Sequence, residues 1–392
     1  MLKFQLLIST NLVFFAISNC FSQSLTKVIA RNDAVLDGCF RSDGGISESP
    51  EPTSEVVPYF ANFIAVRWAM RGKEADLDRV SKYLTWCQKH QNGDGTIDCY
   101  GYAQGPPTRL CDADDSELAG FIWVADTFVS HKGKLTEKQI AALQKAFDHL
   151  QHLMRPSGLT WGRDREQNFM PSVKGPDGRP YNKRSTLSYL QDNLEAYAGF
   201  ASAQHLFTTL GDTKRKSIAE SSRLTVGHAL QNMWVPEKKL YSPGFANGVR
   251  FPAYTVDMPE YPGHEKDFLA LCCLVNLRAI TWLDSSPVEV KHPGHPWVYC
   301  TSKFIPDGGN FCACPTEYFY MASLRVGKPD EIAKWKHKTI AESDGFGSDT
   351  YGYRPAICNL ALLYGTNWIP NWIDDQQANH APKGVTSQSN LR

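Results

Sequence analysis

Residues 186–210, TLSYLQDNLEAYAGFASAQHLFTTL, and residues 213–233, TKRKSIAESSRLTVGHALQNM, decide the fold of this chain. The first segment is apolar or small over most of its length, whereas the second carries Lys, Arg and Glu side chains. Apolar residues recur in both at intervals of three to four, which predicts two α-helices paired as an αα-hairpin. The first helix is typical of an inner, buried position, and the second of an outer position exposed to water.

The same pairing recurs along the chain, at 54–70 with 75–90 and at 114–130 with 136–154. The inner members begin near residues 55, 114, 190, 265, 316 and 354. Six such hairpins close into a ring, so the sequence predicts an all-α fold, an (α/α)6 toroid, as one domain over residues 24–373. An open α-solenoid is the alternative, but the regular period of roughly 34–47 residues expected of it is missing.

The two ends of the chain differ from this helical domain. Residues 1–23 contain Lys3, the apolar block 12–17 and small residues near Ser22, which predicts a cleaved signal peptide. The apolar block is shorter than the ~20 residues of a membrane-spanning helix. We therefore expect a secreted or periplasmic protein without a membrane span, ending in a polar tail at 374–392.

Eleven cysteines are present. Cys20 would leave with the signal peptide, and an even number in an exported chain predicts that some form disulfides. The pairing stays open, although Cys99 and Cys111 flank one loop. The spacing of Cys312 and Cys314 is not that of a standard zinc finger or ribbon, so no metal and no cofactor is expected.

The composition narrows the class of partner. In 392 residues, 41 Lys and Arg balance 41 Asp and Glu, and the longest basic cluster, 214–216, is too short to follow a phosphate backbone. Aromatic residues reach 12%, with ten Trp and sixteen Tyr, more than a core needs. Aromatic rings stack on the apolar faces of sugars. We therefore expect a poly- or oligosaccharide partner and no nucleic acid.

The richest group of acids leads into the second inner helix. Asp112, Asp114, Asp115 and Glu117 lie within six residues, and Asp112 and Asp115 share a helix face. A single acid would be enough to cap the helix, which is the structural interpretation. Four acids repel one another and raise at least one pKa, which favours a functional carboxylate.

A second acidic pair, Asp192 and Glu195, lies on one face of the third inner helix. Its surroundings are apolar, so these charges need either a structural partner such as Arg or a catalytic role. Two carboxylates flanking one cavity are what glycosidic hydrolysis requires. We expect Asp115 and Asp192 to be the main catalytic pair, assisted by Asp112, Asp114 and Glu195. A separation of roughly 6.5–9.5 Å across a ring would favour inversion.

Aromatic and basic residues in loops before the inner helices are the candidates for binding substrate. They are Tyr102, Trp161, Arg163, Tyr254, Tyr351, Tyr353 and Arg354. The aromatic side chains would stack on a sugar ring. The arginines would either pair with an acidic sugar or bind a neighbouring acid of the protein.

Four segments resemble the six-hairpin glycosidase superfamily, at residues 57–63, 112–121, 157–161 and 192–199. DADDSELAGF at 112–121 is similar to D-S-D-D-S-Y-A-A-T-F, and DNLEAYAG at 192–199 is similar to D-N-A-E-V-Y-A-G. The likeness covers roughly residues 50 to 235. It implies an (α/α)6 toroid and a glycoside hydrolase.

Two other functions stay open from the sequence. A polysaccharide lyase acting on uronates would depend on Tyr353, Arg354 and His264 rather than on the Asp pair. A toroid that binds glycans without cleaving them would use its acids only as helix caps. A Ser nucleophile and nucleotide chemistry have no support, because G-x-S-x-G, G-x-G-x-x-G and a P-loop are absent from the sequence.

Overall fold

The structure is a computed structural model, and it describes residues 25–101, 107–108, 113–162, 187–237, 240–246, 249–250, 265–283, 297, 300–301, 315–326, 328–347 and 350–370. The predicted signal peptide and the predicted tail lie outside these residues. The chain divides into two compact units. The first comprises residues 1–149 and 314–368, and the second comprises residues 150–313 and 369–392.

The first unit is built from helices. They are α1 (25–38), α2 (Pro58–Arg71), α3 (Glu74–His90), α4 (Asp114–Ser130), most of α5 (Glu137–His152), α9 (Thr316–Val326), α10 (Pro329–Ser343) and α11 (Tyr353–Tyr364). α2 packs against α3, α4 and α11, and α9 packs against α10 and α11. The inner helices predicted near residues 55, 114, 316 and 354 thus follow one another as neighbours in the order α4, α2, α11, α9.

Burial separates inner from outer helices as the sequence predicts. In α4, 14 of 17 residues are buried, whereas only six of the 17 residues of α3 are. The buried set of α3 includes Val80, Tyr83, Leu84 and Cys87, which recur at helical spacing along one face. An inner helix is covered on nearly all sides, so its sequence is apolar over most of its length rather than striped.

Within its described residues, the second unit contains three long helices and five short strands. The long helices are α6 (Leu190–Thr209), α7 (Thr213–Gln231) and α8 (Glu265–Leu283). The strands are β1 (Leu187–Tyr189), β2 (Trp234–Val235), β3 (Leu240–Tyr241), β4 (Gly244–Ala246) and β5 (Val249–Arg250). β1, β4 and β5 form one antiparallel sheet and β2 pairs with β3, while α6 packs against α7 and α8. In β1, Tyr189 pairs with Gly244, directly before α6 begins.

One turn geometry recurs after three helices. Phe40 pairs with Ile46, Gln91 with Ile97, and Met154 with Thr160, each six residues apart. In every turn the glycine four residues after the first partner has a positive φ, between 85° and 106°. A Cβ on the second of these glycines, Gly95, would lie 2.7 Å from the Lys145 carbonyl oxygen. The glycine is therefore required by both its backbone conformation and the packing of the turn.

Buried asparagines tie several inner helices to neighbouring backbone or side chains. In α8, Asn276 Oδ1 accepts a hydrogen bond from Tyr241 N at 2.9 Å. In α11, Asn359 Nδ2 donates to Asp33 Oδ1 at 2.8 Å and Asn359 Oδ1 accepts from Asn32 at 2.9 Å. These bonds satisfy polar groups that would otherwise be costly to bury, and they fix the helices in place.

The six cysteines whose side chains are described are all buried: Cys39, Cys87, Cys99, Cys273, Cys300 and Cys358. No two of them are at disulfide distance. Burial raises the pKa of Cys39 and of Cys87 to about 12, so these thiols stay protonated and unreactive. The predicted disulfides are therefore not found among these six, and Cys111, Cys312 and Cys314 lie outside the described residues.

Candidate functional site

The acids predicted in the first unit lie in the first turn of α4. Asp114, Asp115 and Glu117 are all buried, and Asp115 Oδ1 accepts a hydrogen bond from Ser116 N at 2.9 Å. The positive end of the helix dipole stabilises carboxylates in this position. Asp112 lies outside the described residues. The setting suits a cap as well as a catalytic acid, so the catalytic role of Asp114 and Asp115 stays a prediction.

The acid-bearing end of α4 is held closely against α2. Asn62 Nδ2 donates to the Glu117 carbonyl oxygen at 3.1 Å, and Asn62 Oδ1 accepts from Tyr83 Oη at 3.0 Å. A Cβ on Gly120 would lie 2.5 Å from Asn62 Nδ2. The missing side chain of Gly120 thus allows the close approach of α2 and α4 that positions the first turn of α4.

Aromatic rings cluster where α11 begins. Tyr353 stacks on Phe60 with ring centroids 4.6 Å apart and an interplanar angle of 16°. Tyr351 lies 6.0 Å from Phe60 and 6.3 Å from Tyr353. Tyr351 is 52% exposed. The structure therefore brings the two predicted tyrosines together and adds Phe60 from α2 to them.

Arg354 directly follows Tyr353 in the sequence. It binds two glutamates of the same unit. Arg354 Nη2 lies 2.5 Å from Glu342 Oε1 and 3.4 Å from Glu317 Oε2, and Arg354 Nε lies 3.4 Å from Glu317 Oε1. Thr316 Oγ1 also donates to Glu342 Oε2 at 2.5 Å. Of the two interpretations open for Arg354, the structure supports the bond to acids of the protein.

The two glutamates respond differently to the same arginine. Burial raises the pKa of Glu317, whose side chain is 0% exposed, above its usual value, and the Arg354 charge only partly opposes this. Burial would also raise the pKa of Glu342, but the Arg354 charge and hydrogen bonds from Arg354 and Thr316 outweigh it and lower that pKa. Burial would lower the pKa of Arg354, but the charges of Glu317 and Glu342 outweigh it and raise that pKa. Arg354 and Glu342 are thus the ionised pair, and Glu317 holds its proton to higher pH.

In the second unit, Asn193 fixes the loop that precedes α6. Thr160 N donates to Asn193 Oδ1 at 2.7 Å, while Asn193 Nδ2 donates to the carbonyl oxygens of Thr160 at 3.2 Å and Tyr189 at 2.9 Å. Asn193 is fully buried. A buried amide with these partners holds the loop and the start of the helix together.

This loop lies against the predicted acid Asp192. Asp192 is in the first turn of α6 and is 8% exposed. A Cβ on Gly162 would lie 3.6 Å from Asp192 Oδ2, so the backbone of the loop runs beside the carboxylate. Trp161, the predicted sugar platform, precedes Gly162, and the Arg155 guanidinium lies 3.3 Å from the centre of its ring. The structure therefore brings Asp192 and the loop carrying Trp161 together.

Glu195, one turn further along α6, is engaged differently. Its Oε1 lies 2.5 Å from Arg278 Nη1 of α8, and both side chains are 4% exposed. Arg278 also lies 5.9 Å from the ring centre of Trp282. This buried pair matches the structural interpretation that the sequence left open for Glu195, a bond to Arg.

The remaining predicted residues have varied outcomes. Tyr102, Arg163, Tyr254 and Asp112 lie outside the described residues. Asp115 belongs to the first unit and Asp192 to the second, and their meeting at one cavity stays a prediction. Within the described ranges, no group of three or more His, Cys, Asp and Glu side chains is arranged to hold a metal ion.

Sequence reasoning missed several residues of these clusters: Glu317, Glu342, Phe60 and Asn193. Glu317 stands in the first turn of a predicted inner helix, as Asp192 does, so the same positional rule would have identified it. A search for acidic runs does not select Glu317, because it is a single acid. Glu342 lies near the end of an outer helix, where no sequence signal marks it.

No membrane-crossing candidate occurs among the described helices, because none combines the necessary length with sufficient apolar character. No protein family model matches the sequence, and no curated protein matches it either. Solved structures do match in fold.

A GH63 mannosylglycerate hydrolase from Thermus thermophilus, in complex with glucose, is 11% identical and superposes with a TM-score of 0.53, covering 86% of this chain and 99% of its own. An uncharacterized conserved protein from the same organism is 12% identical, with a TM-score of 0.55 and coverage of 86% and 98%. A novel alpha-amylase from Clostridium perfringens is 11% identical, with a TM-score of 0.51 and coverage of 83% and 94%. The predicted fold class is confirmed: the chain is an all-α (α/α)6 toroid.

Proposed function

We propose that this protein is an exported glycoside hydrolase that cleaves a poly- or oligosaccharide with a pair of carboxylates and inversion of configuration. The observation that carries the proposal is the Asp192 carboxylate at the start of α6, with the Trp161-Gly162 loop running beside it. A carboxylate next to an aromatic residue is a setting in which a sugar ring can stack while its glycosidic oxygen meets an acid or a base.

A mannosylglycerate hydrolase and an alpha-amylase, each 11% identical, share this fold, and the proposal gives this chain the same class of reaction. Asp115 is the proposed second carboxylate. It is buried in the first turn of α4, the position that Asp192 occupies in α6.

The engagement of Arg354 favours hydrolysis over the lyase alternative. A lyase needs a cation to neutralise the uronate carboxylate before the α-proton is removed. Arg354, the proposed cation for that role, already bonds Glu317 and Glu342. A uronate would have to compete with both glutamates for Arg354.

The test is a panel of polysaccharides and oligosaccharides incubated with the purified protein and with the variants Asp192→Asn and Asp115→Asn. General acid and base groups typically contribute about 10²- to 10⁴-fold to a rate, so each variant should lose at least about 100-fold in reducing-end release. Asp78→Asn is the matched control, because Asp78 is an exposed acid paired with Lys82 on α3 and should leave the rate unchanged. Proton NMR of the first product reports its anomeric configuration.

The outcomes separate the three functions. An unsaturated product that absorbs in the ultraviolet, made equally well by Asp192→Asn, would establish the lyase. Glycan binding without any product after long incubation would leave a binding protein. Export is tested separately by expressing the full chain with its first 23 residues and sequencing the N-terminus of the exported protein, which should begin near Ser22 to Ser24.

A further inference from the structure

We propose that Phe60, Tyr351 and Tyr353 form a sugar-binding platform that accepts neutral sugar residues and excludes uronates. The inference rests on the proposed function, because it names the class of substrate for that activity. It is carried by the geometry of the three rings, by the backbone that holds them and by the charges beside them.

The rings form a partly exposed aromatic surface. Phe60 and Tyr353 are nearly parallel at 4.6 Å, and Tyr351 inclines by 38° to Phe60 and 39° to Tyr353. Phe60 and Tyr353 are half-buried. Tyr351 is among the few large apolar or aromatic residues of the described chain that are exposed. A half-exposed ring such as Tyr351, packed beside two other rings, is suited to covering the C–H face of a pyranose.

The backbone of the platform is held rigidly. Gly352, between the two tyrosines, donates its N–H to the Glu48 carbonyl oxygen at 2.6 Å. A Cβ on Gly352 would lie 2.8 Å from both Cys39 Sγ and Ile64 Cδ1. The Tyr351-Gly352-Tyr353 segment is thus pressed onto the core at its centre, and its rings need little ordering when a ligand binds.

The charges beside the platform disfavour an acidic sugar. Arg354 follows Tyr353 directly, and its Nε and Nη2 edge faces Glu317 while Nη2 also bonds Glu342. That edge is the one with which arginine binds a carboxylate in bidentate fashion. One cation with two carboxyl groups leaves no surplus positive charge, so a uronate would meet competition from Glu317 and repulsion from Glu342. A neutral sugar needs no cation and is not affected.

The experiment measures binding by calorimetry with the full-length Asp192→Asn variant, so that cleavage does not interfere. The probes are cellohexaose, maltohexaose and mannohexaose as neutral ligands, and hexagalacturonate as the acidic one. At least one neutral hexasaccharide should bind at least 10-fold more tightly than hexagalacturonate. Adding Tyr351→Ala should weaken that binding at least 5-fold, whereas Tyr351→Phe, which keeps the ring, should bind as before.

A charge variant tests the exclusion directly. Glu342→Gln removes one of the two carboxylates that occupy Arg354, and it should improve hexagalacturonate binding several-fold with little change for the neutral ligand. Circular dichroism confirms that each variant is folded. Preferential binding of hexagalacturonate, no binding of any neutral probe, or equal affinity of Tyr351→Ala and its parent would each overturn the proposal.

The same measurements distinguish this inference from the proposed function. If the wild-type protein hydrolyses glycans but Tyr351→Ala leaves KM unchanged, the platform is wrong and the hydrolase stands. If neutral ligands bind through Tyr351 and no glycan is cleaved, the platform stands and the hydrolase is wrong.

Discussion

Each of the two units pairs an arginine with glutamate, but the two clusters differ in how deeply they are buried. In the second unit, Arg278 faces Glu195 at 2.5 Å, and both side chains are 4% exposed. In the first unit, Arg354 serves both Glu317 and Glu342, and is itself 24% exposed. The Arg278–Glu195 pair lies in the core, whereas at Arg354 two acids compete for one partly exposed arginine.

The degree of burial decides what each cluster does. A fully buried ion pair is costly to break, because removing either partner leaves a charge in a low-dielectric interior. In the two-to-one cluster Glu342 takes the ionised role and Glu317 is left with a raised pKa. The Arg278–Glu195 pair therefore stabilises the fold. In the first unit, Glu317 keeps its proton to higher pH and Glu342 is ionised beside Arg354.

The largest effect is expected from breaking the Arg278–Glu195 pair. Arg278→Met should lower the free energy of unfolding by about 3–5 kcal/mol, since the buried Glu195 carboxylate loses the Arg278 cation. The variant also loses the contact between Arg278 and the Trp282 ring. Urea denaturation at pH 7 measures the change.

The control is the double variant Glu195→Gln with Arg278→Met, which removes both charges. It should recover a substantial part of the lost stability, because no charge is then left alone in the core. A loss below about 1 kcal/mol for Arg278→Met, against the range expected of a buried pair, would mean that Glu195 is compensated by other groups.

Breaking the shared cluster should cost less. Arg354→Met is expected to lower the free energy of unfolding by about 1–3 kcal/mol, the penalty of leaving buried polar partners unsatisfied. The loss is smaller because Glu317 can hold a proton and Glu342 is 31% exposed to water. Parallel urea denaturation of Arg354→Met and Arg278→Met compares the two clusters directly.

Arg354→Lys is the matched control, since it keeps the charge and loses the planar fork. It should lie between the wild type and Arg354→Met in stability. A loss for Arg354→Met as large as that for Arg278→Met would show that exposure to water does not separate the two clusters.

Much of this architecture follows from the sequence, for a physical reason. Inner helices such as α4 and α6 are buried on nearly all sides, so a long apolar stretch interrupted by acids marks both the helix and its first turn. This pattern predicts that Asp115 and Asp192 lie at the starts of helices. The short strands escaped prediction because two or three residues cannot display an alternating pattern.

The partners of charged residues could not be predicted in the same way. Arg354 meets Glu342 and Glu317 across 12 and 37 residues of chain, and Glu195 meets Arg278 across 83. Helical spacing relates residues three or four apart, whereas these pairs are set by which helices pack together. The sequence accordingly allows Arg354 to bind either an acidic sugar or an acid of the protein. Only the packing of α9, α10 and α11 shows that it binds acids of the protein.

The smallest effect, and the one specific to the two-to-one cluster, is a pH dependence of stability. The pKa of Glu317 is raised in the folded state above its usual value of 4.5, so the folded protein binds this proton more tightly than the unfolded chain does. The resulting stabilisation is complete below pH 4.5 and is lost as the pH rises through the folded pKa, at up to about 1.4 kcal/mol per pH unit. Glu317→Gln stays neutral, so the stability difference between wild type and variant should decrease across this window when urea denaturation is repeated from pH 4.5 upwards.

Glu342→Gln gives the opposite signature and completes the comparison. The pKa of Glu342 is lowered by Arg354, so its contribution is present at neutral pH and is lost as the pH falls below 4.5 towards the folded pKa. Below pH 4.5 the Glu317 contribution to stability no longer changes with pH. In that range the wild type should therefore lose stability relative to Glu342→Gln. Parallel pH profiles for wild type and Glu317→Gln above pH 4.5 would show that Glu317 is ionised like Glu342, and the two acids would then share Arg354 equally.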